Sequence, residues 1–141
     1  MDQRAGIEHH SFSGSDVPEA YGPYSHAVVA GDFVFVSGQI ARDAVTGKRI
    51  DGDIVAQTRR CLEIVRDILA KFGLGLDHVV RVTVYLSDID DFDAMNGVYA
   101  TTFRAPFPAR STPQVTMPFG ALVGLEVTAY RAGLGAAGGR A

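Results

Sequence analysis

The segment Phe33–Ile40 (FVFVSGQI) is apolar on both faces of the strand that its β-branched and aromatic content favours. Val34 and Val36 point one way, Phe33 and Phe35 the other. Residues 78–87 (HVVRVTVYLS) alternate similarly: Val80, Val82, Val84 and Leu86 oppose Val79, Arg81, Thr83 and Tyr85. Only two stretches carry helical periodicity. Along Asp53–Phe72 the residues Ile54, Thr58, Cys61, Leu62, Val65, Ile68, Leu69 and Phe72 recur at steps of three and four. Along Asp90–Phe103 the same spacing joins Phe92, Met95, Val98, Tyr99 and Thr102. Two helices can cover one face of a sheet. The other face would leave phenylalanine and tyrosine exposed as an apolar patch, which monomers usually avoid, so the pattern predicts an oligomer that buries it.

The remaining elements follow from punctuation. Tyr24–Ala30 and Phe33–Ile40 are joined by Gly31-Asp32, which predicts a hairpin, and a weaker strand lies near Ile7–Phe12. Ala41–Gly52 reads as loop. Asp51 or Asp53 can cap the long helix, and Gly73 can end it. Pro106 and Pro108 stop the second helix. Arg110–Met117 and Leu122–Arg131 are the last two strands, joined around Pro118–Gly120. The order β-β-β-α-β-α-β-β predicts an α+β fold: a single mixed sheet of about six strands with two helices on one face. One domain over 1–131 is expected, followed by a mobile glycine-rich tail over 132–141.

Several function classes fall away. The 141 residues carry 13 Lys and Arg against 16 Asp and Glu, net −3, which offers no general basic surface for nucleic acid or anionic lipid. The one cysteine, Cys61, excludes an internal disulfide and a multi-cysteine zinc site, and points to a reducing compartment. No apolar run approaches the roughly 18 residues of a membrane span, and Met1–Ser15 has no signal-peptide core; a cytoplasmic protein is expected. Gly133, Gly135 and Gly138 match a dinucleotide-binding pattern, but no helix can follow them to meet a pyrophosphate. His9 and His10 would point to opposite strand faces, His26 and His78 are isolated, and no metal site is expected. Cys61 lies on the apolar helix stripe and reads as a core residue. The acidic run Asp88–Asp93 suits a helix start. Ser37 lacks the setting of a nucleophile elbow.

Two charged residues are more informative. Arg110 opens a strand just after two prolines and would share its face with Thr112, Gln114 and Thr116. A guanidinium held by a rigid strand is a good receptor for a carboxylate, whose two oxygens match its fork; the alternative is a solvated arginine on an edge strand. Glu126 sits in an otherwise apolar strand, where an ionised carboxylate needs a partner, either a ligand or a neighbouring cation.

In order along the chain stand Gly22-Pro-Tyr-Ser25, Phe35-Val-Ser-Gly-Gln-Ile40, Thr46-Gly47, Asp53-Ile-Val-Ala-Gln-Thr58, Val80-Arg-Val-Thr-Val-Tyr-Leu86, Asp91-Phe92 with Asn96 and Tyr99, Phe107-Pro-Ala-Arg-Ser111 and Leu125-Glu-Val-Thr-Ala129. This ordered set resembles the Rid family (reactive intermediate deaminases, YjgF-like). The resemblance implies a fold like the small bacterial chorismate mutase, and a homotrimer with ligand sites in clefts between subunits. It also implies hydrolysis of 2-imino or 2-enamino acids to 2-oxo acids and ammonia, with no metal or cofactor. Carried over, Arg110 would grip the substrate carboxylate; Tyr24, Ser37 and Asn96 match positions around the pocket, and Thr112 stands where many members have Cys or Thr.

The sequence also departs from that family's pattern. Archetypal members carry two glutamates, two residues apart, on the last strand, and the first is credited with handling the water. Here Glu126 matches the second and Gly124 the first, and the preceding turn is one residue shorter. Pro113 replaces an aliphatic residue, His26 a common Gln, and Ala41 a common Pro. Three readings stay open: a deaminase using Arg110 and Glu126, on a general or a pathway-specific imine; a non-catalytic binder of small carboxylate metabolites at the subunit interface; and, disfavoured by charge, an endoribonuclease.

Overall fold

The computed structural model describes residues 4–14 and 16–136. Its strands are β1 (Ile7–His10), β2 (Ala27–Ala30), β3 (Phe33–Ile40), β4 (Val79–Leu86), β5 (Ala109–Ser111) and β6 (Val123–Tyr130). They form one sheet in the order β1-β2-β3-β6-β4-β5, antiparallel except for β4 beside β5. Two helices, α1 (Ile54–Ala70) and α2 (Phe92–Thr102), make the crossovers. Helix α1 runs from β3 to β4 and leaves a gap that β6 fills; α2 joins β4 to its parallel neighbour β5. No helix among the described residues is long and apolar enough to cross a membrane.

The helix ends obey local chemistry. The Asp53 carboxylate accepts from the Ala56 amide at 2.9 Å, and Gly73 takes a left-handed φ of 71° just past the C-terminus of α1. Ahead of α2, the Asp88 carboxylate accepts from the Asp90 amide in a short 3-10 turn over Ile89–Asp91, which gives the acidic run its structural use. Both helices pack on one sheet face, where Val34, Val36, Val82, Val84, Leu125, Val127 and Ala129 are buried. Cys61 lies in that core, and burial pushes its thiol up to about 12, so no thiolate is available for chemistry. His26 is a structural residue: its Nε2 donates to the Pro18 carbonyl at 2.8 Å and its Nδ1 accepts from the Phe12 amide at 3.0 Å.

Four differences from the sequence reading have physical causes. The first hairpin strand begins at Ala27 rather than Tyr24, because Gly22–Ser25 is turned: the Tyr24 amide donates back to the Gly22 carbonyl at 2.9 Å. In β4, the pairs Val79↔Ala129 and Arg81↔Thr128 leave Val80 as an extra residue. This bulge puts Val79 in the core and Val80 outside, the reverse of the simple alternation. The strand expected over Arg110–Met117 shrinks to Ala109–Ser111, so Thr112, Gln114 and Thr116 do not continue the face of Arg110. Pro113 has no N–H to extend the ladder, although its carbonyl still accepts from the Leu86 amide at 3.0 Å.

The fourth concerns the expected tail. Residues 137–141 lie outside the described residues, but the chain before them turns back on the domain: Leu134 is fully buried. The amides of Gly133 and Gly135 donate to the two carboxylate oxygens of Asp32 at 3.2 and 2.8 Å. A Cβ at Gly135 would meet the Gly31 carbonyl at 2.7 Å, so this glycine serves a close backbone approach. Replacing Leu134 by Ala is expected to lower unfolding stability by about 2–4 kcal/mol; an unchanged denaturant midpoint would contradict this docking.

Candidate active site

Strand parity sorts the candidate residues. In the β4–β5 register Arg110 pairs with Val82, which is buried beneath the helices, so Arg110 points to the helix side of the sheet. Glu126 pairs with Thr83 and points to the open side. The two charges that the sequence singles out therefore leave the sheet in opposite directions.

On the helix side, α2 presents Phe92, Asn96 and Tyr99, spaced i, i+4 and i+7 and so on one face. The Arg110 guanidinium carbon lies 4.7 Å from the Tyr99 ring centre and 5.5 Å from that of Phe92. Such stacking holds the cation through the ring quadrupoles and does not itself use its N–H donors. Among the described residues no carboxylate lies within ion-pair distance of Arg110. Beside it opens a hollow of about 260 Å³ lined by Asn96, Tyr99, Ala100, Phe107, Pro108 and Arg110. The Tyr99 hydroxyl is buried without a hydrogen-bond partner. Burial pushes its pKa up, an effect the adjacent guanidinium partly offsets. Thr112 is half-buried two residues beyond Arg110 and does not line this hollow.

The other candidates gather elsewhere. The register Val36↔Val127 and Gln39↔Leu125 sets Ser37 and Gly38 together against Glu126, a bulge in β3. The Ser37 hydroxyl donates to the Ser25 carbonyl at 2.6 Å, and the Tyr24 hydroxyl accepts from the Tyr21 amide at 3.3 Å. The Tyr24 ring meets Tyr21 edge-on at 5.7 Å, and Tyr21 meets Phe119 at 5.0 Å. On the open face Tyr85 donates to Glu126 Oε1 at 2.7 Å. Glu126 also borders a hollow of about 270 Å³ with Phe35, Arg81, Thr83 and Thr128. Gly124 is buried, and a Cβ built there would lie 2.9 Å from the Met117 methyl. Arg110 and Asn96 thus line one hollow and Glu126 borders the other, while Tyr24, Ser37 and Thr112 line neither. Among the described residues no cluster of three His, Cys, Asp or Glu could hold a metal ion.

A family profile described as Endoribonuclease L-PSP matches residues 14–131. The chain belongs to the Rid (YjgF-like) family. It is 44% identical over 117 residues to a RutC family protein of Pyrococcus horikoshii, covering 82% of this chain and 93% of that one. It is 38% identical over 120 residues to a 2-iminobutanoate/2-iminopropanoate deaminase of Capra hircus, covering 84% and 88%. The crystal structure of RidA from an Antarctic Psychrobacter superposes with a TM-score of 0.81 at 33% identity, covering 86% of this chain and 99% of that one. The two helices and six-stranded mixed sheet are those of Rid-family structures.

Two features of the site went unread in the sequence. Phe92 and Tyr99 were legible at helical spacing, but not their pairing with an arginine on another element. Tyr85 was assigned only a strand face; its bond to Glu126 needs the β4–β6 register. That bond and burial both raise the Tyr85 phenol above its ordinary value of 10.0, as burial does for Tyr99. Both groups hold their protons more tightly folded than unfolded, so the stability they contribute is complete below pH 10 and is lost as pH rises above it. Denaturant titrations from pH 8 to 11.5 are expected to show that decline, and Tyr85→Phe to make it shallower; a parallel decline in the variant would contradict the assignment.

Proposed function

We propose that this protein is a deaminase that hydrolyses 2-imino or 2-enamino acids to 2-oxo acids and ammonia, working in the cytoplasm as a homotrimer. The observation that carries the reading is the Arg110 guanidinium, seated on Tyr99 and Phe92, without an acidic partner among the described residues, and bordering a hollow of a size for a small organic acid. A bidentate guanidinium–carboxylate pair fixes the substrate's C1 and so the plane of its C2=N bond. Asn96 on the same wall can hydrogen-bond a polar group of the ligand. Water then adds to C2, the bond from C2 to nitrogen breaks, and ammonia leaves. The relatives named as imino-acid deaminases support this chemistry; no metal or cofactor is required for it.

The separation of Arg110 from Glu126 supports such an assembly. Arg110 and Glu126 leave opposite faces of one sheet, so a ligand that meets both must lie between two copies. The open face carries Phe33, Phe35 and Tyr130 at 40–46% exposure, a surface that a neighbouring subunit would cover. In the trimer, Arg110, Asn96 and Thr112 of one subunit would face Tyr24, Ser37 and Glu126 of the next.

Imino acid generated by an amino-acid oxidase, with ammonia or semicarbazide trapping followed over time, tests the activity. The protein is expected to accelerate hydrolysis. Arg110→Ala is expected to raise the KM for the imino acid and the Kd for its 2-oxo product at least tenfold, the worth of about 1.5–3 kcal/mol for charge-assisted hydrogen bonds. Thermal stabilisation by 2-oxo acids without turnover would instead establish a metabolite-binding protein. RNA cleavage that persists in a highly purified sample and is insensitive to Arg110→Ala would replace both readings. Sedimentation is expected to give three copies per particle, and a stable monomer would remove the shared cleft.

A further inference from the structure

Tyr99 carries a hydroxyl for which the fold has no use. The residue is 5% exposed, lines the hollow beside Arg110, and its hydroxyl has no hydrogen-bond partner among the described residues. Its ring is fully engaged: the Phe103 ring packs against it at 4.6 Å between centres, and the Arg110 guanidinium carbon lies 4.7 Å from its own centre. Core packing and the seat of the arginine therefore need the ring and not the oxygen. Phenylalanine would supply both and would avoid the cost of burying a donor without an acceptor. The adjacent cation cannot meet that need, because a guanidinium has five donors and no acceptor. The Thr58 hydroxyl is also buried without a partner, but it lies on α1 and does not line this hollow.

Phenol and guanidinium thus require the same thing of whatever enters the hollow, an acceptor-rich anionic group. We propose that the Tyr99 hydroxyl donates a hydrogen bond to the ligand carboxylate that Arg110 grips, and that the pair selects an ionised acid over its uncharged analogues. This rests on the reading of Arg110 given above. The valences fit. The two oxygens of a carboxylate offer about four lone-pair sites, and a bidentate guanidinium takes two of them, which leaves room for a phenol. Burial raises the Tyr99 pKa, so the phenol keeps its proton at neutral pH and acts as a donor. A carboxamide in the same place would turn N–H groups toward two donors and would lose the charge. The contact is one of binding: Tyr99 orients the acid end of the ligand and takes no part in proton transfer.

Titration calorimetry and thermal melts of the full chain, with 2-oxobutanoate and 2-oxobutanamide as probes, separate this role from a structural one. Tyr99→Phe keeps the ring. It is expected to raise the Kd for 2-oxobutanoate about tenfold, the effect of losing a hydrogen bond to a charged group. Its melting temperature without ligand is expected to equal or exceed that of the unaltered chain, since an unpartnered buried donor has been removed. A lower melting temperature with an unchanged Kd would mark the hydroxyl as structural and overturn the proposal. The unaltered chain is expected to bind the acid at least about tenfold more tightly than the amide, and Tyr99→Phe to narrow that gap; an unchanged gap would also overturn it. Full affinity in Tyr99→Phe, with Arg110→Ala still losing 2-oxobutanoate, would remove Tyr99 from the site and leave the deaminase reading standing. An unaltered chain that neither binds 2-oxobutanoate nor accelerates imine hydrolysis would overturn both.

Discussion

The pairing of Val82 with Arg110 across the short parallel ladder is the constraint on which the rest depends. Side chains alternate strictly along a strand, so a slip of one residue would carry Arg110 to the open face and Ala109 or Ser111 beneath the helices. Three paired residues fix that register. Pro106 and Pro108 limit the backbone before β5, and Pro113 denies the ladder an N–H after it. The consequence is a cation aimed at the helix layer from an edge strand. The nearest surface there is aromatic, which holds the guanidinium plane without consuming its hydrogen-bond capacity.

That seat explains why α2 mixes core and site residues. Met95, Val98 and Tyr99 are buried and fix the helix on the sheet, while Phe92 and Tyr99 also offer ring faces to Arg110. A carboxylate partner within the chain would hold the arginine more firmly, but it would compete with any anionic ligand. Cation–π contact, worth about 0.5–2 kcal/mol, orients the fork and leaves it free. The Tyr99 hydroxyl, buried without a hydrogen-bond partner, lies beside the same guanidinium and keeps a donor available.

Much of this was legible in the sequence. Asp53, the apolar steps of α1 and Gly73 carry their own signals because capping and periodicity are local. The two-faced strands and two helices correctly implied a sheet with one side uncovered. What the sequence hid was parity through irregularities. Val80 is an extra residue against β6, and Ser37 with Gly38 faces the single Glu126; alternation counted along the chain cannot see an insertion defined by the partner strand. The separation of Arg110 from Glu126 was hidden for a similar reason, because two strands from distant parts of the chain had to be placed in register. Leu134 was missed because a lone hydrophobe among glycines has no period, although its burial and the grip of Asp32 on Gly133 and Gly135 order that segment.

The glycine at 124 is best understood together with the turn that precedes it. Met117 lies over the strand there, and a Cβ built at 124 would come within 2.9 Å of its methyl. In that turn Phe119 adopts φ 57°, ψ 24°, a left-handed conformation that costs a non-glycine residue about 1–2 kcal/mol. Arg49 Nε donating to the Phe119 carbonyl at 2.7 Å and the Tyr21 ring at 5.0 Å offset that cost. A side chain at position 124 would therefore require the flexible end of Met117 to shift. On the open face beside it, the register sets Tyr85 opposite Gly124, and its phenol reaches the Glu126 carboxylate at 2.7 Å.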